Sequence, residues 1–244
     1  MGGYGITSSA PIYKRIILKI SGETLGKRVA EVIDIEALHF LRSKIREAIN
    51  SGVQIGIVCG GGNILRGKLS SADILARTTA DQMGMLATVI NSLAIRDIIE
   101  EDGIDVRLFS SLPIAPIAEP YLPRNARKAL DNGAVAIFSG GTGNPFVSTD
   151  TAAVLRACDI GADTVLKATK VDGIYTADPK IDYAALRYDR ISYDEALEKG
   201  LAIMDLPAIA LARENNIPVV VFDFWAENSI ERVLRGEDVG TVMS

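Results

Sequence analysis

Three glycine-rich turns in the sequence each follow a short apolar run directly. They are Ser21-Gly22, Gly60-Gly61-Gly62 and Gly140-Gly141-Thr142-Gly143. Glycine has no side chain, so several backbone N–H groups of such a turn can point at one place, and a following helix adds the positive end of its dipole. The steric needs of a turn explain any one of them equally well. Three at the strand ends of one sheet indicate a phosphate site.

Basic residues near these turns are the candidates for binding phosphate. Lys19 ends the first apolar run, Arg66 follows the second glycine turn, and Lys167 lies near the end of a later apolar run. An isolated lysine is usually a solvated surface residue. Lys19 differs, because its neighbours Leu18 and Ile20 are predicted to be buried, so we expect its side chain at the ligand edge. Phosphoryl transfer requires that two polyanions are positioned and their charge neutralised, which these cations could do.

Asp150 follows the segment TGNPFVST and begins a predicted helix. Capping of that helix and a catalytic role are equally good interpretations, and one carboxylate could serve both. The only histidine, His39, lies in a predicted helix away from the glycine turns, so a histidine-base or serine-hydrolase mechanism lacks its parts. Neither GxxxxGK[ST] nor a GxGxxG between a strand and its helix occurs, so the site is not one of the common nucleotide motifs.

Strands and helices alternate along the chain after a leader, residues 1–11, that is predicted to be flexible. The predicted strands are residues 13–20, 53–59, 105–110, 134–139, 163–169 and 217–222. The predicted helices are residues 34–50, 80–101, 123–133, 151–158, 192–199 and 207–216, and a hairpin is predicted in KVDGIYTADPK. This alternation predicts an α/β fold with a mostly parallel central sheet covered by helices on both faces.

Composition excludes several classes of function. Of the 244 residues, 48% are hydrophobic and 23% are charged, as in compact globular proteins. The net charge of −5 and the absence of a basic run argue against a nucleic-acid or membrane-surface protein. No apolar run approaches the ~20 residues of a membrane span. We therefore expect a cytoplasmic protein in which Cys59 and Cys158 are buried free thiols.

Six segments closely resemble bacterial-type UMP kinases of the amino acid kinase superfamily: KISGE, GGGNILRG, DQMGMLATVIN, SGGTGNPFVSTD, LKATKVDGIYTADP and IMDLPA. The resemblance runs from about Tyr13 to the C-terminus. It implies a three-layer αβα sandwich, a single domain of residues 12–244 whose N-terminal part binds the phosphate acceptor and whose C-terminal part binds ATP. It also implies transfer of the ATP γ-phosphate to UMP in pyrimidine nucleotide biosynthesis. Mg²⁺ would be carried mainly by the ATP phosphates, because the sequence offers no carboxylate cage and thus no metal ligand.

The resemblance also implies roles for individual residues. The implied catalytic residues are Lys19, Arg66, Asp150 and Lys167, with Lys19 on the transferring phosphoryl group and Asp150 orienting the lysines. The implied ATP-binding residues are Lys19, Ile20, Ser21, Gly22, Gly62, Arg66, Thr169, Tyr175 and Asp178. The implied UMP-binding residues are Gly61, Asp81, Thr142, Gly143, Asn144, Pro145, Phe146, Val147, Ser148 and Thr149, with Asp81 on the ribose hydroxyls.

Regulation and assembly are implied less completely. The resemblance implies inhibition by UTP and a homohexamer, but not activation by GTP, because relatives carry a glycine-rich loop after Leu25 where this chain reads GKRVAEVID. The helix 80–101 could form a subunit interface or simply pack on the sheet. Two other functions stay open. One is a related kinase acting on a carboxylate or carbamate, such as acetylglutamate kinase, and the other is a non-catalytic nucleotide- or oxyanion-binding protein on the same fold.

Overall fold

The computed structural model describes residues 10–26, 32–65, 75–179, 181–201 and 204–244. Its strands are β1 (Arg15–Ile20), β2 (Gln54–Cys59), β3 (Val106–Ser110), β4 (Glu119–Pro120), β5 (Val135–Ser139), β6 (Thr164–Thr169), β7 (Ile174–Tyr175), β8 (Arg187–Tyr188), β9 (Arg190–Ile191), β10 (Val219–Asp223) and β11 (Gly240–Met243). Its helices are α1 (Ile35–Asn50), α2 (Arg77–Glu100), α3 (Pro123–Asp131), α4 (Thr149–Ile160), α5 (Tyr193–Glu198), α6 (Leu206–Glu214) and α7 (Ser229–Leu234). Most of the predicted leader, and most of the GKRVAEVID segment, lie outside the described residues.

One central sheet organises the described part of the chain. Its nine strands follow the order β4-β3-β5-β2-β1-β6-β10-β11-β9. Neighbouring strands are parallel except β10 and β11, which are antiparallel. The predicted mostly parallel sheet is confirmed, and the carboxyl ends of β5, β2, β1 and β6 lie side by side at one edge of it.

Helices cover both faces of the sheet. Apolar residues of α1, α2 and α7 pack on one face. Those of α3, α4, α5 and α6 pack on the other. The three-layer αβα sandwich is therefore confirmed. In the residues that the structure describes, no helix has the length and apolarity to cross a membrane.

Strand alternation decides which way the site lysines point. Successive side chains of a strand face opposite sides of the sheet. In β1, Leu18 belongs to the core beneath α1 and α2, whereas Ile17 belongs to the core beneath α4. Lys19 has the parity of Ile17, and Lys167 has the parity of Val165, which lies in the same core as Ile17. Lys19 and Lys167 are register partners in β1 and β6, so their side chains emerge next to each other on the α4 side.

Several predicted boundaries and elements differ from the structure. Helix α2 begins at Arg77, about one turn before the predicted start, and α4 begins at Thr149 rather than at residue 151. The hairpin exists, but β7 pairs with β8, which lies beyond the predicted segment. Helix α7 and strand β11 follow the last predicted strand and were not predicted. Cys59 is buried as expected, whereas Cys158 is only partly buried, so that expectation was wrong for one thiol.

Candidate active site

The glycine turns after β1 and β2 are packed against each other. A Cβ atom on Gly22 would lie 2.6 Å from both the Gly60 carbonyl oxygen and the Gly62 nitrogen, so only glycine allows this approach. A Cβ atom on Gly60 would lie 3.5 Å from Thr149 Oγ1. Thr149 ends residues 142–149, which follow β5 and are here called the acceptor loop after the role that the resemblance implies for them. The three turns therefore meet at one edge of the sheet.

Lys19, Asp150 and Lys167 form a compact cluster at this edge, here called the lysine–aspartate cluster. Lys19 Nζ lies 2.6 Å from Asp150 Oδ1, and Lys167 Nζ lies 2.7 Å from Asp150 Oδ2. The side chains are only 10%, 14% and 12% exposed for Lys19, Asp150 and Lys167. Asp150 Oδ1 accepts no hydrogen bond from the described residues, so the contact between Lys19 and Asp150 is an ion pair whose geometry is not that of a hydrogen bond. The carboxylate thus holds two ammonium groups side by side at the end of the strands.

Burial and the neighbouring charges shift the pKa values of this cluster in opposite directions. Burial acts to raise the pKa of Asp150, but the charges of Lys19 and Lys167 outweigh it and leave that pKa below its usual value. Burial lowers the pKa of Lys167, and the charge of Lys19 adds to this effect, while Asp150 opposes it. The ammonium form of Lys167 is consequently disfavoured relative to water. A phosphate group that enters the cluster would favour the ammonium form of Lys167. A pKa shifted in this way is expected of a functional site.

Asp150 does not cap α4. The N-cap residue is Ser148, whose Oγ accepts from the backbone N–H groups of Asp150 and Thr151 at 3.0 and 3.2 Å. The capping interpretation of Asp150 was therefore wrong, and its carboxylate is directed at the lysines instead. Ser148 Oγ and Thr151 Oγ1 donate to the two oxygens of Asp205, at 2.7 and 2.8 Å. Sequence reasoning assigned no role to Asp205, because a carboxylate 54 residues away from Thr151 gives no local signal.

Asp81 connects α2 to the acceptor loop. Its Oδ2 accepts from the backbone N–H of Phe146 at 2.8 Å. Arg77, one turn earlier in α2, places Nε 3.0 and 2.9 Å from the two oxygens of Asp81. Phe146 has a φ of 68°, which is in the left-handed region, and its ring is exposed. The structure thus brings Asp81 and the acceptor loop together, and it adds Arg77, which the sequence analysis did not single out.

A separate cavity lies beyond the carboxyl end of β6. Its volume is about 390 Å³, within the range of small-molecule sites. Thr169, Tyr175 and Asp178 line it together with apolar residues that include Val171 and Leu201. The three residues predicted for ATP binding in this part of the chain therefore share one cavity.

The remaining predicted residues fall into three groups. Ser21 and Gly22 lie in the turn after β1, whereas the Ile20 side chain is fully buried, so Ile20 could offer a ligand only its main chain. Gly61 packs against α2, since a Cβ there would lie 2.9 Å from the Gly84 carbonyl oxygen. Arg66 lies outside the described residues. Within the described ranges, no three His, Cys, Asp or Glu side chains converge on a point where they could hold a metal ion.

Comparison with known proteins identifies the family to which this fold and this site belong. The model of the amino acid kinase family matches residues 14–223, and the chain belongs to that family. Within the family it groups with the uridylate kinases. The uridylate kinase of Legionella pneumophila (strain Paris) is 50% identical over 231 residues, covering 95% of this chain and 94% of the relative. That of Psychrobacter sp. (strain PRwf-1) is 50% identical over 232 residues, covering 95% and 96%. The crystal structure of UMP kinase from Bacillus anthracis matches with a TM-score of 0.93 and 37% identity, covering 95% of this chain and 96% of that one.

Proposed function

We propose that this chain transfers the γ-phosphate of ATP to UMP, giving ADP and UDP. The observation that carries the proposal is the lysine–aspartate cluster, because it lies between two regions suited to two nucleotides. On one side is the acceptor loop with Asp81, and on the other is the cavity lined by Thr169, Tyr175 and Asp178. The 50% identity to uridylate kinases supports UMP as the acceptor.

The chemistry needs little from the protein beyond position and charge. The phosphate of UMP is largely a dianion near neutral pH and is itself the nucleophile, so no general base is required. Lys19 and Lys167 would neutralise the charge that the transferring group carries between donor and acceptor, while Asp150 keeps both ammonium groups in place. The N–H groups of Gly22, Gly61 and Gly62 and the N-terminus of α4 would bind phosphate oxygens.

The other predicted residues are assigned to the side on which they lie. UMP is proposed to bind the acceptor loop, with its ribose hydroxyls on Asp81, and ATP the cavity after β6. Arg66 is proposed to reach phosphates of both nucleotides. Mg²⁺ would enter with ATP, coordinated by phosphate oxygens and water.

We further propose that the chain is a single-domain, cytoplasmic enzyme of pyrimidine nucleotide biosynthesis, inhibited by UTP and assembled as a homohexamer. Helix α2 supports the assembly, because it packs on the sheet through Ile95 and Ile99 and still leaves Leu86 and Ile90 each 49% exposed. Leu86 and Ile90 lie one turn apart, and exposed apolar side chains that adjoin one another in a patch are typical of an interaction site.

A coupled assay with MgATP tests the activity. UMP, CMP, dUMP and N-acetylglutamate are compared as acceptors, and binding of UMP is measured in parallel by calorimetry. We expect turnover with UMP and much lower kcat/KM with CMP. Turnover only with N-acetylglutamate would indicate the related carboxylate kinase. Binding of UMP and ATP without turnover would indicate a non-catalytic nucleotide-binding protein, and either result would overturn the proposal.

A further inference from the structure

Arg156 is a buried arginine that the proposed reaction does not use. It lies in α4, about two turns after the first residue of that helix, Thr149, and only 4% of it is exposed. Its Nη1 donates to Asp159 Oδ2 at 3.0 Å, and its Nη2 donates to Ser111 Oγ at 2.7 Å and to the Gly141 carbonyl at 3.1 Å. Loss of these partners from a buried charge would cost free energy, so the position of the guanidinium group is well defined.

Tyr121 fixes the plane of this guanidinium. The Arg156 Cζ atom lies 3.8 Å from the centroid of the Tyr121 ring, and the Tyr121 hydroxyl donates to Asp159 Oδ2 at 2.7 Å. Burial, together with Asp159, raises the pKa of Tyr121, so the hydroxyl keeps its proton. A stacked, planar fork with donors in fixed directions is a property of arginine that lysine lacks.

The Gly141 carbonyl is where this network meets the acceptor loop. It accepts from Arg156 Nη2 and also from Ser111 Oγ at 3.0 Å. Gly140, Gly141 and Gly143 have φ values of 74°, 58° and 82°, so this stretch has the large backbone freedom of glycine. The far end of the loop is held separately, by Asp81 at Phe146. Residues 142–145 therefore span two anchors, and Arg156 belongs to the first.

We propose that Arg156 is a positioning residue that sets acceptor-base specificity by fixing the start of the acceptor loop. This inference rests on the proposed function, in which UMP binds the acceptor loop, and it takes Thr142 and Asn144 as the side chains that meet the uracil. Held at Gly141, the loop presents these two side chains in one geometry before the nucleotide arrives, so binding does not have to order a glycine-rich segment. With the anchor lost, the loop samples other geometries, and a base with a different hydrogen-bond pattern is rejected less strongly.

The effect should be confined to the acceptor. Arg156 touches neither the lysine–aspartate cluster nor the cavity after β6, so the KM for ATP and the turnover at saturating UMP should change little. Arg156→Lys keeps the charge but cannot serve Asp159, Ser111 and Gly141 at once. Ser111→Ala is a milder change, because it removes one of the two donors to Gly141 and leaves the arginine in place.

Matched controls are available at the opposite edge of the sheet. Arg15 is also largely buried, with Nε 2.7 Å from Gln54 Oε1 and Nη2 2.6 Å from Asp131 Oδ1. Ser51 Oγ donates to the Glu47 carbonyl at 2.8 Å, which matches the hydroxyl-to-carbonyl bond of Ser111. Arg15→Lys and Ser51→Ala therefore report the cost of the same chemical changes away from the acceptor loop.

The experiment is steady-state kinetics of the wild type and the four variants with UMP and CMP, alongside thermal melting. For Arg156→Lys we expect a KM for UMP on the order of tenfold higher, and a UMP-to-CMP ratio of kcat/KM lower by a similar factor, with a smaller shift of the same kind for Ser111→Ala. Both controls should retain the wild-type ratio.

Three results would overturn the inference: an unchanged UMP-to-CMP ratio in both site variants, an equal rise in the KM values for UMP and ATP, or the same loss of discrimination in Arg15→Lys. Should Arg156→Lys fail to fold, Ser111→Ala decides alone. The wild type is the internal reference, because absence of UMP turnover there would contradict the proposed function, whereas normal wild-type turnover with unaltered variants would contradict only the role of Arg156.

Discussion

Two clusters of charged side chains in this molecule differ in how fully their positive and negative charges balance. The lysine–aspartate cluster has two ammonium groups around one carboxylate. The second cluster, here called the arginine cluster, joins α1 to the end of α2. In it Arg42 donates to Glu101 at 2.7 Å and to Asp102 Oδ2 at 2.9 Å, and Arg46 donates to Asp102 Oδ1 at 2.9 Å. Two cations thus meet two carboxylates.

The pKa shifts of the two clusters have different meanings. In the arginine cluster, the hydrogen bond to Asp102 raises the pKa of Arg42, and the hydrogen bond from Arg42 lowers the pKa of Asp102, so each partner favours the other's charge. In the lysine–aspartate cluster, burial and the neighbouring Lys19 lower the pKa of Lys167 in spite of Asp150. The first arrangement stabilises the fold by itself. The second gains from an added anion, which is what distinguishes a phosphate site from a structural ion pair.

Replacement of Lys19 by Met gives the largest expected difference between the clusters. Lys19→Met should lower kcat for UMP phosphorylation on the order of 10³-fold, because the lost charge acts on the transferring phosphoryl group. The melting temperature should change little, since methionine fills a position that is only 8% exposed. The matched variant Arg42→Met should keep the wild-type kcat. Turnover of Lys19→Met within tenfold of the wild type would contradict the assignment.

Replacement of Asp150 by Asn should give an intermediate effect that depends on pH. The charge of Asp150 raises the pKa of Lys167, so its removal lowers that pKa further and deprotonates the lysine at lower pH. The alkaline limb of kcat/KM against pH should therefore move to lower pH, with a loss on the order of 10- to 100-fold at mildly alkaline pH. Since Ser148 is the cap, α4 should be retained, which circular dichroism checks. An alkaline limb that stays in place would show that Asp150 does not control Lys167.

The site was predictable where its signals are local. An apolar strand, a glycine turn and a lysine of the right parity all lie within a few residues, so Lys19 and the turns around it could be placed at one edge from the sequence. The N-cap residue of α4 could not be predicted from such local signals. Ser148 and Asp150 are both good N-cap residues, and the choice between them depends on where the helix starts, which Asp205 influences by accepting from Ser148 and Thr151.

Long-range polar contacts account for the other omissions. Arg156 lies within a helix whose apolar residues gave the only visible pattern, and its partners Ser111 and Gly141 are 45 and 15 residues away. Strand β11 is short and pairs antiparallel with β10, so the alternation of parallel strands and helices gave no reason to expect it. The layers of the fold follow from periodicity, whereas these contacts follow from tertiary packing.

The smallest expected effect is on stability, and it tests the difference between the lysine–aspartate cluster and the arginine cluster most directly. Lys167 has a folded pKa below its unfolded value, so its charged form costs stability at every pH below the folded pKa, and the cost disappears as pH rises towards the ordinary lysine pKa. Lys167→Met should therefore raise the melting temperature at neutral pH, by ~2 °C for a chain of this size, while it impairs turnover. Asp150 would still be paired with Lys19.

Arg42→Met should have the opposite sign, because it leaves Asp102 with fewer donors in a cluster whose members favour one another's charge. Differential scanning calorimetry without nucleotide, at neutral and at strongly alkaline pH, measures both variants against the wild type. The gain for Lys167→Met should shrink at alkaline pH, where the wild-type lysine is neutral in the folded state. A lower melting temperature for Lys167→Met at neutral pH would mean that its ion pair outweighs its burial. The two clusters would then be alike, and the low pKa of Lys167 would no longer indicate a missing phosphate.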